Sequence, residues 1–176
     1  MTIKKLMLVG LAVGVAAFAS CSDPTFPTVS QIIPARTFLG ATLTAAKEVP
    51  SVTATSTGDA DVTVLDTNLI RLEVRVNNID SVTQSHIHAG DAATAGPIMM
   101  WIFPSNGVAQ NGLGSATNPV RYNGVLRLMD INRSTAFITP YNFDSVMTRI
   151  KNGTAYINVH TRKNPGGEIR GQIVPK

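Results

Sequence analysis

Residues 69–76, Leu69-Ile70-Arg71-Leu72-Glu73-Val74-Arg75-Val76, alternate apolar and charged side chains. Ile70, Leu72, Val74 and Val76 fall on one side of an extended chain, Arg71, Glu73 and Arg75 on the other, because strand side chains point to opposite faces with a period of two. One face can pack on a core while the other meets water, which is the pattern of a half-buried antiparallel strand. Just upstream, Asp66-Thr67-Asn68 has turn chemistry and residues 59–65 are short and β-branched, so the two segments read as a hairpin. Working outward, Leu39, Ala41, Leu43 and Ala45 alternate with Gly40, Thr42 and Thr44, and residues 84–88, 98–103, 122–128, 134–138, 154–160 and 168–174 read as further strands. Asn106-Gly107, Asn111-Gly112, Asn118-Pro119, Asn152-Gly153 and Asn164-Pro165-Gly166-Gly167 supply the turns between them. Residues 144–151 break the period: Val146, Met147 and Ile150 recur at three- and four-residue spacing, which predicts a two-turn helix with Asp144 as N-cap and Gly153 just past its end. Many short strands with frequent turns predict an all-β sandwich or barrel.

The amino terminus reads differently. Lys4 and Lys5 precede an apolar run, residues 6–18, and small residues Ala19-Ser20 precede Cys21. That is the three-part layout of a secretory signal, too short for a spanning helix of about 20 residues. Phe18-Ala19-Ser20-Cys21 resembles the bacterial lipobox, with Phe18 where Leu is usual. The resemblance implies cleavage before Cys21 and lipidation of its thiol, hence a partner in the membrane and a place in the cell envelope, outside the cytoplasm. Ser22, in place of Asp, resembles lipoproteins sorted to an outer membrane. The expected organisation is a lipoprotein signal peptide at 1–20, the lipidated cysteine and a proline-containing tether at 21–36, and one β-domain at 37–176.

Removing residues 1–20 takes away two lysines and leaves 13 basic and 11 acidic residues. So small an excess, evenly spread, argues against a nucleic-acid partner. Cys21 is the single cysteine, so no intrachain disulfide can form and packing alone must stabilise the domain.

All three histidines lie in two short segments. His86-Ile87-His88-Ala89-Gly90 is followed by Gly96-Pro97, and Tyr156-Ile157-Asn158-Val159-His160-Thr161 is followed by Asn164-Pro165-Gly166-Gly167-Glu168-Ile169-Arg170-Gly171. Parity puts His86 and His88 on one strand face, and Tyr156, Asn158 and His160 on one face of the other strand. If the strands are neighbours with their apolar residues inward, three imidazoles converge. Neutral imidazole suits copper, zinc, nickel or iron, and a His-x-His pair with a third His leaves an open coordination position. The alternative is a hydrogen-bonded cluster that locks the strand ends onto carbonyls, Asn158 or Thr161. Met99, Met100 and Trp101 read as core in preference to a soft-metal site, and Asp91 as a turn residue. Glu168 and Arg170, on one face, are expected to pair with each other or with adjacent strands.

These motifs resemble the CHRD domain, named for the secreted developmental protein chordin and found also in bacterial exported proteins. The resemblance spans roughly residues 37–175 and is densest from Tyr156 to Ile173. A more distant likeness is to Cu/Zn superoxide dismutase, itself a Greek-key β-sandwich. It implies His86, His88 and His160 as copper-type ligands and Arg170 as a nearby residue guiding an anion, although no fourth histidine or disulfide accompanies them. The expected fold is therefore an antiparallel Greek-key β-sandwich of about eight or nine strands with one short helix. The expected function is a membrane-anchored binding or interaction module with an unidentified protein or surface partner, bearing a metal, copper or zinc, at the histidines. The alternatives are a copper-dependent oxidoreductase and a purely structural cell-surface domain.

Overall fold

The computed structural model describes residues 36–104 and 122–176. The expected signal peptide, Cys21, the expected tether up to residue 35 and the turn clusters expected at 106–107, 111–112 and 118–119 lie outside the described residues.

Among the described residues there are nine strands: β1 (Thr37–Thr44), β2 (Thr57–Asp66), β3 (Leu69–Ile79), β4 (Val82–Ala89), β5 (Ile98–Phe103), β6 (Tyr122–Asn132), β7 (Ala155–Thr161), β8 (Ile169–Gln172) and β9 (Val174–Pro175). One α-helix, α1 (Phe143–Lys151), precedes β7, and a short 3-10 turn (Ala45–Lys47) follows β1. Every pairing is antiparallel, in the order β5-β4-β7-β8-β1-β2-β3-β6, with β9 on β1. The two ends of that path, β5 and β6, approach each other, so the sandwich is one nearly closed sheet. No ladder joins β5 and β6 among the described residues, so the pairings give an all-β, sandwich- or barrel-like sheet.

The hairpin expected at residue 66 is present: β2 pairs with β3 from Thr57↔Asn77 to Asp66↔Leu69. Ile70, Leu72, Val74 and Val76 are buried, with Ala60, Val62 and Val64 beside them on β2. Their opposite face carries an ion-pair cluster in which Arg75 meets Asp59, Asp61 and Glu73, and Arg71 meets Asp130. The alternation of residues 69–76 is thus a core face and a solvated face.

Three expectations change. Residues 134–138 form no strand. Asn132 Oδ1 accepts from the Ser134 N–H at 2.8 Å and Thr135 Oγ1 accepts from the Asn132 N–H at 2.9 Å, local bonds that compete with a ladder. The segment still covers the free edge of β5, since the Ile138 N–H donates to Met99 O at 2.9 Å. The N-cap of α1 is Asn142, two residues before Asp144. Asn142 Oδ1 accepts from the Ser145 N–H at 3.0 Å and Ser145 Oγ accepts from the Asn142 N–H at 3.0 Å, a reciprocal cap. Asp144 sits in the first turn and pairs with Arg133. Finally, the strand expected at 168–174 divides into β8 and β9. Phe143, Val146, Met147 and Ile150 bury the helix face as expected, and Gly153 ends it with φ +69°.

Candidate functional site

β4 and β7 are neighbours, with His86 opposite Asn158, His88 opposite Tyr156 and Gln84 opposite His160. β8 continues two of these rows, Asn158 facing Arg170 and Tyr156 facing Gln172. Ile87, Ala155, Ile157 and Val159 point into the core, so His86, His88, Tyr156, Asn158, His160 and Arg170 share the other face. That face is covered rather than solvated: His86 is 1 % exposed, His88 7 %, His160 6 % and Arg170 2 %.

Two loops provide the cover. Residues 90–97 are held by Arg170, whose guanidinium donates to Asp91 O at 2.6 Å and Thr94 O at 2.9 Å. The Gly96 N–H donates to Tyr156 Oη at 3.0 Å, and the Ala89 N–H donates to Pro97 O at 3.0 Å. Gly96 lies so close to β4 that a Cβ there would collide with Ala89 O, so only glycine fits. Residues 162–168 form the second cover. Glu168 closes it by accepting from the hydroxyls of Ser56 and Thr161 and from Asn164 Nδ2. Of Glu168 and Arg170, expected to pair with each other or with adjacent strands, Glu168 bonds Thr161 on β7 and loop groups, and Arg170 bonds loop carbonyls. Asp91 is a turn residue as expected, its carboxylate accepting from the Ala93 N–H. Met99 and Met100 are core.

Hydrogen-bond partners assign the protons on the imidazoles. His88 Nδ1 lies 2.8 Å from Gly96 O and His160 Nδ1 lies 2.9 Å from Pro165 O. A carbonyl only accepts, so both Nδ1 atoms carry hydrogen and both Nε2 atoms are bare in the neutral rings. His160 Nε2 is 3.1 Å from His86 Nδ1, which therefore donates to it, and 3.0 Å from Asn158 Oδ1, an acceptor that bonds a bare nitrogen only if the amide is turned to present Nδ2. Nε2 of His86 and Nε2 of His88 are buried without a hydrogen bond. A buried acceptor left without a donor costs about 1–3 kcal/mol, so two in one cluster are a substantial strain on the fold.

Burial keeps these rings neutral. Desolvation, followed by the His160 and His88 imidazoles, pushes His86 down to about 3, with Asn158 acting in the opposite sense. Desolvation pushes His88 down to about 4 against the Gly96 hydrogen bond, and desolvation likewise lowers His160. Neutral imidazole with Nδ1–H on a carbonyl and a bare Nε2 is the form that ligates metals. One potential ligand nitrogen from each ring lies within 4.8 Å of the other two, so a common point exists within about 2.8 Å of all three, and the rings must close in by up to about 0.7 Å to reach the His–metal bond length of about 2.0–2.1 Å.

Aromatic neighbours hold the rings. The Trp101 ring meets His86 edge-on at 4.4 Å, and the Tyr156 ring stacks on His88 at 4.8 Å and 12°. The guanidinium of Arg170 lies 3.5 Å from the centre of that same Tyr156 ring. Sequence reasoning found all three histidines, Asn158 and Arg170. It missed Trp101 as a ring neighbour, and the carbonyls of Gly96 and Pro165. Their only sequence signal was the Gly-Pro and Asn-Pro loops that follow each histidine motif.

The arrangement defines a class: an antiparallel, nearly closed β-domain with a buried three-histidine cluster roofed by two loops. The CHRD domain model matches residues 39–173, and the chain belongs to this family. No curated protein and no solved structure matches it.

Proposed function

We propose that this chain is an exported, lipid-anchored lipoprotein whose CHRD domain is a binding module carrying a copper or zinc ion on His86, His88 and His160. Membership of the CHRD family is compatible with a binding or interaction role. The observation that carries the metal reading is the pair of buried, unpartnered Nε2 atoms beside a third bare nitrogen, in rings whose Nδ1 hydrogens are already committed. Anchoring is supported by the signal layout and by the cysteine that ends it.

Calorimetric and NMR titration of the metal-free protein with copper and zinc tests the site. The expected result is one equivalent bound with all three imidazole signals shifted, and at least 100-fold weaker binding after His160→Ala with the β-sheet spectrum unchanged. Titrations without heat and without imidazole shifts would leave a purely structural cluster.

A further inference from the structure

We infer that the three-histidine site selects monovalent copper over divalent ions, because its donors are all neutral, no carboxylate joins the cluster, and the charge packed against it through Tyr156 is a cation. This rests on the three-histidine reading and deepens it.

The donor set comes first. Among the described residues the cluster consists of His86, His88 and His160 alone, with no carboxylate or thiolate contributing. The groups behind the rings are neutral too. His88 and His160 spend their Nδ1 hydrogens on the carbonyls of Gly96 and Pro165. A carboxylate in that place, the arrangement common behind zinc-bound histidines, would push negative charge toward the ion. Three neutral imidazoles leave the whole charge of any bound ion uncompensated.

The second element is Arg170. Its guanidinium, 2 % exposed, packs on the Tyr156 ring that also stacks on His88, and it donates to the carbonyls of Asp91 and Thr94. Guanidinium does not deprotonate in proteins, so this charge is permanent. Its field reaches the cluster, since the guanidinium and the His88 ring both pack against the same Tyr156 ring. A buried carboxylate, Glu168, lies in the second cover and spends its oxygens on Ser56, Thr161 and Asn164. Two further acids feel the guanidinium. Asp91 is solvent-exposed and screened. Glu48 is buried and pushed up to about 7, chiefly by desolvation, so it carries only part of a charge at neutral pH.

Burial turns these facts into selectivity. The cost of transferring an ion out of water rises with the square of its charge, so a dication costs about four times as much as a monocation of equal size. Repulsion from Arg170 doubles for a dication as well. Three nitrogen donors suffice for a cuprous ion, whereas zinc completes a tetrahedron with a fourth ligand. Zinc or cupric ion at this site must therefore take a further ligand from solution, and an anion there offsets charge that water leaves uncompensated.

The test uses the full-length protein in detergent at pH 7 under anaerobic conditions. Cuprous ion, buffered by a cuprous-specific chelator, competes with zinc, each with and without added azide. The expected result is one cuprous ion with three nitrogen neighbours by X-ray absorption and no response to azide. Zinc is expected to bind at least 100-fold more weakly and to tighten at least 10-fold with azide. Arg170→Gln is expected to narrow the cuprous-to-zinc ratio at least 10-fold, and Arg170→Lys, which keeps the charge, to preserve it. Should the Gln variant unfold, the azide dependence in the unaltered protein still decides. Zinc bound as tightly as cuprous ion without an anion overturns the selectivity alone. Failure of every ion to move the imidazole signals overturns the three-histidine reading and this inference together.

Discussion

At the scale of single residues, the charge state of the cluster follows from where the rings sit. His86 is lowered to about 3 and His88 to about 4 mainly by burial, while in the unfolded chain both return to ordinary values near 6.5. Between these limits the unfolded state takes up protons that the folded state refuses, so stability falls as pH drops from about 6.5 toward 4. His160 acts in the same direction. Glu48 acts oppositely: raised to about 7, it adds stability below its unfolded value and loses it as pH rises toward 7. Near pH 5 the two most shifted imidazoles withhold about two protons and Glu48 returns about one, so the net slope favours higher pH. Melting of the metal-free protein should therefore move to lower temperature on acidification from pH 6.5 to 4.5. A melting temperature flat or rising toward acid would contradict the assigned neutral rings. The same residues show how much of the site was legible. A period of two places His86 with His88, and Asn158 with His160, without any structure.

At the scale of elements, α1 and the 90–97 loop give separate tests. Asn142 and Ser145 cap each other's backbone, so Asn142→Ala should cost about 1 kcal/mol, read as a shifted denaturation midpoint. The analogous change at Asp144, whose ion pair with Arg133 is exposed, should cost less. Both Asn142 and Asp144 are ordinary capping residues, and only the backbone path into the helix distinguishes them. In the loop, Gly96→Ala forces a methyl group into Ala89 O and should destabilise the domain by about 3 kcal/mol. It should also release the Nδ1 hydrogen of His88 from Gly96 O, visible as a changed imidazole tautomer signal by NMR. An unaltered His88 signal in a folded Gly96→Ala protein would show that the loop does not hold the ring. The failed strand at 134–138 belongs to this scale too. Its composition permits a strand, yet Asn132 and Thr135 bond to the local backbone and leave only Ile138 to pair.

At the scale of the whole molecule, the proposed anchor makes a simple prediction: Cys21→Ser should move the protein from the membrane fraction to the soluble fraction. Retention of that variant on membranes would remove the lipid as the attachment. Most strands, though not 134–138 or the division of 168–174, the hairpin at Asp66–Leu69, the buried face of α1 and the β-rich class were determined by the sequence alone, because each depends on periodicity and turn chemistry within a few residues. The tertiary structure alone decided that β4 lies beside β7, bringing together His86 and His160 from 74 residues apart. It also decided that the polar face lies under loops pinned by Arg170 and Glu168, and that carbonyls of Gly96 and Pro165 set the imidazole tautomers. Every residue carries a carbonyl, so no pattern in the chain marks the two that matter. Their role comes from proximity across the sheet, which only the closed fold supplies.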